Sequence, residues 1–197
     1  MTERKGRIIS LIIADDDCSV RSQLREYLEN SSYRIMSEAC DGIDAVEKCR
    51  AHKPDLVLLD IAMPLMDGIA AAKAIKREGL AKTIVMLTSF TDSENIEKAL
   101  SAGASGYLTK PVERDNVFTT LETCLNRSKE CYLAQKEYNN LKKRFEGRRY
   151  IDEAKLLIME RQGITEPEAY EMIRELSRLK GLSMEEISKY ITDEGRR

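Results

Sequence analysis

The sequence predicts an α/β fold, in which a doubly wound, five-stranded parallel sheet is followed by a coiled-coil helix and a small all-α domain of three helices. Five short apolar runs predict the sheet, at 8–14, 33–39, 55–61, 83–88 and 105–109. Longer stretches of helical period separate them, and this alternation is typical of doubly wound proteins. Polar residues hardly interrupt the first and third runs, as expected for strands buried on both faces of a sheet. The alternation ends near residue 112, beyond which the chain is predicted to be helical.

Composition excludes several classes of protein. Of the 197 residues, 42% are apolar and 34% are charged, which suits a globular chain and not a disordered one. The net charge of −2 excludes a generally basic nucleic-acid coat. No window is apolar enough for a membrane helix, and the first apolar run ends in three aspartates, unlike a signal peptide. We therefore predict a cytoplasmic protein without a membrane segment.

The cysteines and the histidine narrow the chemistry further. The five cysteines are scattered and form no C-x-x-C pair, which disfavours a disulfide framework or a zinc site and favours reduced thiols. The lone histidine, His52, lies in a predicted loop beside Lys53 and Pro54. Neither a catalytic triad nor a multi-histidine metal site can be built from it.

Helix and turn signals separate the five runs. Val20, Leu24, Tyr27 and Leu28 share one face, so 19–29 is predicted as an amphipathic helix. Glycines and prolines stand at or near the other predicted junctions, namely Gly42, Pro54, Gly68, Gly79, Gly103, Gly106 and Pro111.

The region after the sheet is predicted to be a long helix. Residues 113–161 contain no proline and one glycine, Gly147, which predicts one helix or two helices broken near that glycine. Apolar residues recur with heptad spacing, at Cys124, Cys131, Tyr138 and Phe145, with Ala134 and Leu141 between them. This spacing predicts a coiled-coil dimer over 121–150, and the alternative is a helix that packs on its own chain. A basic cluster lies at 142–149. It is explained either as a solvated helix face or as a nucleic-acid contact.

Two further helices begin at capping boxes, Thr165–Glu168 and Ser183–Glu186. The first helix ends at Gly181 and carries an apolar face of Ala169, Tyr170, Ile173, Leu176 and Leu179. The second is predicted to run from 184 to 191, with Ile187, Tyr190 and Ile191 on its apolar face. The C-terminal part is therefore predicted to be a three-helix unit that follows the coiled coil.

An acidic pocket is the strongest chemical signal. Asp15 and Asp16 end the first predicted strand, and Asp60 ends the third. In a sheet of order 2-1-3-4-5 these strands are neighbours at the point where ligands bind, so the three carboxylates should converge. Clustered carboxylates repel one another and require a cation, and few oxygen ligands with open positions suit Mg²⁺. Strands four and five end in Thr88 and Lys110, which offer a hydroxyl and an ammonium to a transferring phosphoryl group.

At these residues, 7–120 resembles a response-regulator receiver domain, assigned here to 1–120. The matching segments are Ala14–Asp16, Asp60–Gly68, Leu87–Ser89 and Gly103–Pro111. The resemblance implies that Asp60 accepts a phosphoryl group from a sensor histidine kinase and that Lys110 contacts it. It implies Mg²⁺ ligands at Asp16, Asp60 and the Ala62 carbonyl, with Asp15 acting through water. It also implies a switch pair, Thr88 and Tyr107, and a regulator that is not an enzyme.

The C-terminal part resembles the ANTAR module, the RNA-binding antitermination domain of the AmiR and NasR regulators. The segments that carry the resemblance are 154–163, 165–170 and 173–174, within a domain assigned to 138–197. Leu156 and Ser177 depart from the common pattern, which has glycine and alanine there. The candidates for the RNA face are Ala154, Lys155, Tyr170, Arg174 and Ser177, with Arg174 favoured for a direct contact; the alternative is that Ala154 and Tyr170 are core residues.

The two resemblances together predict a transcription antiterminator. A kinase phosphorylates Asp60, the active state forms a homodimer, and two ANTAR modules hold paired hairpins of a leader transcript. One alternative is a DNA-binding response regulator that uses 166–191 as a helix-turn-helix. A second alternative is a phosphorelay or protein-interaction regulator without nucleic-acid binding.

Overall fold

The structure is a computed structural model that describes residues 8–89 and 93–195. The chain divides into two compact units, residues 1–131 and 132–197. The first seven residues, which lead into the first predicted strand, lie outside the described residues. Residues 90–92, which fall within the predicted receiver domain, and residues 196–197, at the end of the predicted ANTAR domain, do so as well.

The first unit contains a parallel sheet of five strands in the order β2-β1-β3-β4-β5. The strands are β1 (Ile9–Ala14), β2 (Tyr33–Ala39), β3 (Leu56–Asp60), β4 (Thr83–Thr88) and β5 (Gly106–Thr109). The helices between them are α1 (Cys18–Leu28), α2 (Gly42–His52), α3 (Gly68–Glu78) and α4 (Ser93–Ser101). In the register, Leu11 of β1 is opposite Leu56 of β3, which is itself opposite Thr83 of β4. The predicted fold class and strand order are therefore confirmed.

Each face of the sheet has its own core. Alternate residues of β1 point to opposite faces, so Leu11 and Ile13 pack with α1 and Ile12 packs with α2 and α3. Every residue of β3 and β4 is buried. This double burial explains why both strands read as unbroken apolar runs in the sequence.

Three aspartates fix the beginnings of the first three helices. The carboxylates of Asp17, Asp41 and Asp67 accept backbone N–H groups of α1, α2 and α3 at 2.7, 2.9 and 2.7 Å. Such caps satisfy donors that have no partner within the helix. These capped helices begin after the loops that follow β1, β2 and β3, and these loops lie at the edge of the sheet that holds the acidic residues.

The predicted long helix is one unbroken helix, α5 (Arg114–Gln162). Its first part belongs to the core of the first unit, in which Cys124 is 4% exposed. A Cβ on Gly106 would lie only 2.5 Å from the Cys124 sulfur, so β5 and α5 approach closely there. The predicted heptad seam is therefore wrong at Cys124, because that residue packs on its own chain. The exposed part of the seam begins at Cys131.

The second unit combines the end of α5 with α6 (Glu166–Lys180) and α7 (Met184–Gly195). Its core contains Ala154, Ile158, Ala169, Ile173 and Ile187. Both predicted capping boxes form, since Glu168 accepts from the Thr165 N–H at 2.8 Å and Glu186 accepts from the Ser183 N–H at 2.9 Å. The predicted apolar faces are partly wrong, because Leu179 and Tyr190 are 78% and 64% exposed.

Within the described part of the chain, no helix is both long enough and apolar enough to span a membrane. All five cysteines are free thiols, as predicted.

Candidate functional site

Three carboxylates converge where β1 and β3 end, as the sequence predicts. Asp15 and Asp60 are buried, and Asp16 is exposed to solvent. One carboxylate oxygen from each lies within 4.8 Å of the others. The Asp15 side chain is also held by its own loop, because its Oδ1 accepts the Asp17 N–H at 3.0 Å. Three hard oxygen donors at this spacing form a group that is able to hold a metal ion.

Lys110 lies between two of these carboxylates. Its Nζ is 2.7 Å from Asp15 Oδ2 and 2.8 Å from Asp60 Oδ1. Burial alone would lower the pKa of Lys110, but the hydrogen bonds and charges of Asp15 and Asp60 outweigh it and raise the pKa. The ammonium therefore stays charged and offsets part of the repulsion within the cluster.

Burial shapes the chemistry of Asp60. Desolvation raises the pKa of its carboxyl, and the nearby charges of Asp15 and Asp16 raise it further, against the opposing effect of Lys110. The carboxylate is held at the C-terminal end of a fully buried strand and ion-paired to an ammonium. It is thereby presented as a fixed oxygen nucleophile beside a cationic partner.

Two glycines hold the loop that follows Asp60. A Cβ on Gly68 would lie 1.9 Å from the Asp60 carbonyl oxygen, and the Gly68 N–H donates to the Ile61 carbonyl at 2.9 Å. The Gly42 N–H donates to the Met66 carbonyl at 3.1 Å, and a Cβ on Gly42 would lie 2.3 Å from that oxygen. The sequence places both glycines at junctions but does not indicate these contacts: Gly68 contacts the end of the preceding strand, and Gly42 contacts a residue 24 positions away. Ala62, whose carbonyl is a predicted Mg²⁺ ligand, belongs to this loop and is exposed.

The remaining predicted receiver residues lie on the last two strands. Thr88 ends β4 and is 1% exposed, and its carbonyl accepts the Lys110 N–H at 2.8 Å. Tyr107, on β5, is 41% exposed. The Lys110–Pro111 peptide bond is cis.

Three of the five predicted RNA-face residues are engaged within the second unit. Ala154 is completely buried in its core. Lys155 Nζ lies 2.8 Å from Asp152 Oδ1 and 2.6 Å from Glu166 Oε1. The Ser177 hydroxyl donates to the Leu182 carbonyl at 2.5 Å, across the turn that follows α6.

The other two residues face solvent on α6. Tyr170 is 42% exposed, and the Arg174 side chain is 45% exposed, with Nη1 2.8 Å from Glu171 Oε1. They are four residues apart and therefore lie on the same face of the helix. Sequence reasoning did not single out Arg178, which extends this face by one more turn.

Each of the two units matches a known protein family. Residues 11–122 match the family described as "Response regulator receiver domain", and residues 139–191 match the family described as "ANTAR domain". ANTAR domains are RNA-binding antiterminator modules. The first match includes the whole acidic cluster, and the second includes all of α6.

Among curated proteins, the chain is 35% identical over 183 residues to the "Transcriptional regulatory protein PdtaR" of Mycobacterium tuberculosis (strain H37Rv). That alignment covers 93% of this chain and 89% of the relative. The chain is also 40% identical over 115 residues to the "Chemotaxis protein CheY" of Halobacterium salinarum. The CheY alignment covers 58% of this chain and 95% of the relative, so it involves the first unit alone.

Solved structures resemble the first unit. The response regulator domain of Thermotoga maritima CheB has a TM-score of 0.57 at 27% identity, and covers 61% of this chain and 98% of its own. CheY in the CheX-CheY-BeF3-Mg complex from Borrelia burgdorferi has a TM-score of 0.54 at 28% identity, over 57% of this chain and 86% of its own. Receiver domains are regulators and not a family of catalytic enzymes. The chain therefore belongs to the response regulators, and it joins a receiver domain to a C-terminal ANTAR domain.

Proposed function

We propose that this response regulator is a phosphorylation-activated antiterminator that binds hairpin loops in leader transcripts and prevents transcription termination. One observation carries the proposal: the cluster of Asp15, Asp16 and Asp60, in which Lys110 pairs with Asp15 and Asp60, lies in a chain that continues into an ANTAR domain. The receiver domain implies a histidine kinase as partner, and the ANTAR domain implies RNA.

Phosphorylation takes place at Asp60. A carboxylate oxygen of Asp60 attacks phosphorus, the bond from phosphorus to the kinase histidine breaks, and the histidine nitrogen keeps the electron pair. The Lys110 ammonium and the Thr88 hydroxyl, at the ends of neighbouring strands, would contact the phosphoryl oxygens.

The acidic cluster fits Mg²⁺ by the chemistry of its donors. Asp16, Asp60 and the Ala62 carbonyl would hold the ion directly, and Asp15 would act through a bound water. Bound there, Mg²⁺ supplies positive charge to the oxygens of the transferring group. Within the chain, Lys110 already neutralises part of the cluster, and the Asp17 N–H fixes the direction of the Asp15 carboxylate.

Thr88 and Tyr107 link the site to the rest of the receiver. Thr88 is buried and its carbonyl accepts the Lys110 N–H, whereas Tyr107, on the neighbouring strand, is 41% exposed. We infer that phosphorylation draws the Thr88 hydroxyl toward Asp60 and that the Tyr107 ring moves inward. A phosphoryl group is able to shift this equilibrium only through its different interaction with the two states.

The active state is a homodimer that forms along α5. Cys131, Tyr138, Leu141 and Phe145 lie exposed on one face with heptad spacing, and the last three are 62%, 57% and 74% exposed. In a parallel pair, the g-position Glu137 of one helix faces the e-position Lys142 of the other, which favours that arrangement. Dimerisation would bring two ANTAR domains to one transcript.

The RNA face is centred on Tyr170 and Arg174 of α6. An exposed aromatic ring stacks on an unpaired base of a hairpin loop, and a neighbouring guanidinium donates to base edges or phosphates. Lys155 and Ser177 support this face from within the fold through their intramolecular bonds, and Ala154 packs beneath it.

A gel-shift titration tests the proposal with a two-hairpin leader RNA, a one-hairpin RNA and promoter duplex DNA. We expect tight binding that needs both hairpins, strengthens on phosphorylation with Mg²⁺ and survives competition by duplex. Preference for duplex would identify a DNA-binding regulator that uses 166–191 as a helix-turn-helix. Failure to bind either nucleic acid would favour the protein-interaction reading.

A further inference from the structure

Arg21 of α1 binds the backbone of the acidic loop. Its Nη1 donates to the Asp15 carbonyl at 2.7 Å and to the Asp16 carbonyl at 3.3 Å. The side chain is only 19% exposed. One guanidinium nitrogen therefore binds the backbone carbonyls of both consecutive acidic residues.

The Arg21 side chain is itself fixed by Glu38 on β2. Arg21 Nε lies 3.4 Å from Glu38 Oε2, and Arg25 Nη2 lies 2.6 Å from Glu38 Oε1. The Glu38 backbone carbonyl accepts from Lys48 of α2. Glu38 is thus held by two helices, and it limits the positions that the Arg21 guanidinium can take.

We propose that Arg21 is a positioning residue, which holds the β1–α1 loop in the conformation that lets Asp15 and Asp16 serve the Mg²⁺ site. The proposal rests on the Mg²⁺ site of the proposed function. Asp15 and Asp16 adjoin, and their carboxylates repel each other and Asp60, so an unrestrained loop would relax by turning one of them away. The two hydrogen bonds from Arg21 oppose that rotation, in the way that outer hydrogen bonds orient metal ligands.

The direction of the change in Mg²⁺ affinity on replacing Arg21 distinguishes a positioning role from a simple charge effect. Arg21 is a cation near a cation site, so Coulomb's law alone predicts that its removal tightens the binding of Mg²⁺. Loss of positioning predicts the opposite, since the carboxylates are then no longer held together. Arg21→Lys keeps the positive charge but loses the planar guanidinium. It should also weaken Mg²⁺ binding, because an ammonium cannot reproduce the geometry of a guanidinium.

Isothermal titration of the full-length protein with Mg²⁺ tests the proposal, with Arg21→Gln, Arg21→Lys and Arg25→Gln compared with wild type. We expect the Kd to rise about tenfold or more in Arg21→Gln, as is typical for outer-shell partners, and to rise also in Arg21→Lys. Arg25→Gln is the matched control: Arg25 pairs with the same Glu38, and among the described residues it donates no hydrogen bond to the loop. Its Kd should stay within about twofold of wild type, well below the change expected at Arg21.

Unchanged or tighter binding in Arg21→Gln overturns the proposal, as does an equal loss in Arg25→Gln. Circular dichroism without metal shows whether each variant is folded. If Arg21→Gln does not fold, the Kd of Arg21→Lys tests the proposal instead. Wild type that binds no Mg²⁺ overturns the metal site together with this inference. Loss of RNA binding with intact Mg²⁺ binding contradicts the proposed antiterminator alone.

Discussion

The Lys110 ammonium lies 2.8 Å from the Asp60 carboxylate, so the phosphoacceptor proposed here is ion-paired before any phosphoryl group arrives. The same ammonium is 2.7 Å from Asp15. Lys110 therefore has two consequences for the protein. It stabilises a cluster of carboxylates that would otherwise repel one another, and it places a donor beside the atom that is phosphorylated.

Replacing Lys110 should destabilise the receiver most when no divalent cation is present. In Lys110→Met the buried carboxylates of Asp15 and Asp60 lose their partner, and we expect the free energy of unfolding to fall by about 3 kcal/mol. Saturating Mg²⁺ should restore much of this loss, because a cation again neutralises the cluster. Urea unfolding with and without Mg²⁺ measures both quantities.

Lys82→Met is the control for this measurement. Lys82 is 67% exposed and pairs with Asp55 at 2.6 Å, away from the cluster. Its replacement should reduce the free energy of unfolding by less than about 1 kcal/mol, irrespective of Mg²⁺. An equal loss in Lys110→Met with and without Mg²⁺ would contradict the assigned role of Lys110.

Gly68→Ala should disturb the acidic site through the backbone. Its Cβ would overlap the Asp60 carbonyl oxygen, which belongs to a buried strand and is not free to move away. We expect a loss of roughly 1–3 kcal/mol in stability, as for overpacking in a core, together with weaker Mg²⁺ binding. Gly79→Ala is the comparison, because a Cβ there meets open space at a positive φ of 63° and should affect stability alone. Normal Mg²⁺ binding in Gly68→Ala would contradict this account.

The sequence predicts the first unit almost completely, for a physical reason. Strands buried on both faces leave unbroken apolar runs, and the carboxylates follow directly after two of those runs, so their convergence is a consequence of topology. The contacts of Gly42 with Met66 and of Arg21 with Glu38 were not predictable, because they join residues whose spacing along the chain carries no period. Cys124 was wrongly assigned to the heptad seam, because an apolar residue at a heptad position and one that packs on the sheet follow the same spacing along a helix.

The switch proposed for Tyr107 is open to a direct spectroscopic test. The chain has no tryptophan, so Tyr107→Trp introduces a single reporter. We expect the emission of the Tyr107→Trp variant to shift to the blue, and its quenching by acrylamide to decrease, when beryllofluoride and Mg²⁺ mimic the phosphorylated state. Tyr170→Trp is a matched control, since the two tyrosines are 41% and 42% exposed, and its emission should not respond. Identical spectra of Tyr107→Trp in both states would contradict the switch.

In the ANTAR domain, replacing Lys155 should affect mainly stability, whereas replacing Arg174 should affect mainly RNA binding. Lys155 bridges Asp152 and Glu166, so Lys155→Met should lower the stability of the domain by up to about 1 kcal/mol. Arg174→Met should leave the unfolding midpoint unchanged and weaken RNA binding about tenfold, equivalent to about 1.4 kcal/mol. Circular dichroism melts and RNA titrations of the two full-length variants provide the comparison. Full RNA affinity in Arg174→Met would exclude Arg174 from the RNA face.

The RNA face was harder to predict than the receiver site. A motif shows which residues a domain tends to share, and it does not show which of them point inward. Ala154 is in the core and Lys155 is held by two carboxylates, whereas Tyr170, on the predicted apolar face, remains half exposed. The packing of α5 against α6 distinguishes these cases, because the pattern of one helix alone does not show which of its residues the other helix covers.

Transcription itself tests the central claim most directly. A template that encodes a two-hairpin leader followed by a terminator is transcribed in a single round with phosphorylated protein, with unphosphorylated protein and with Asp60→Ala under phosphorylating conditions. We predict that read-through rises only with the phosphorylated wild type. Equal read-through with Asp60→Ala, or no read-through when phosphorylated wild type is bound to the leader, would contradict it.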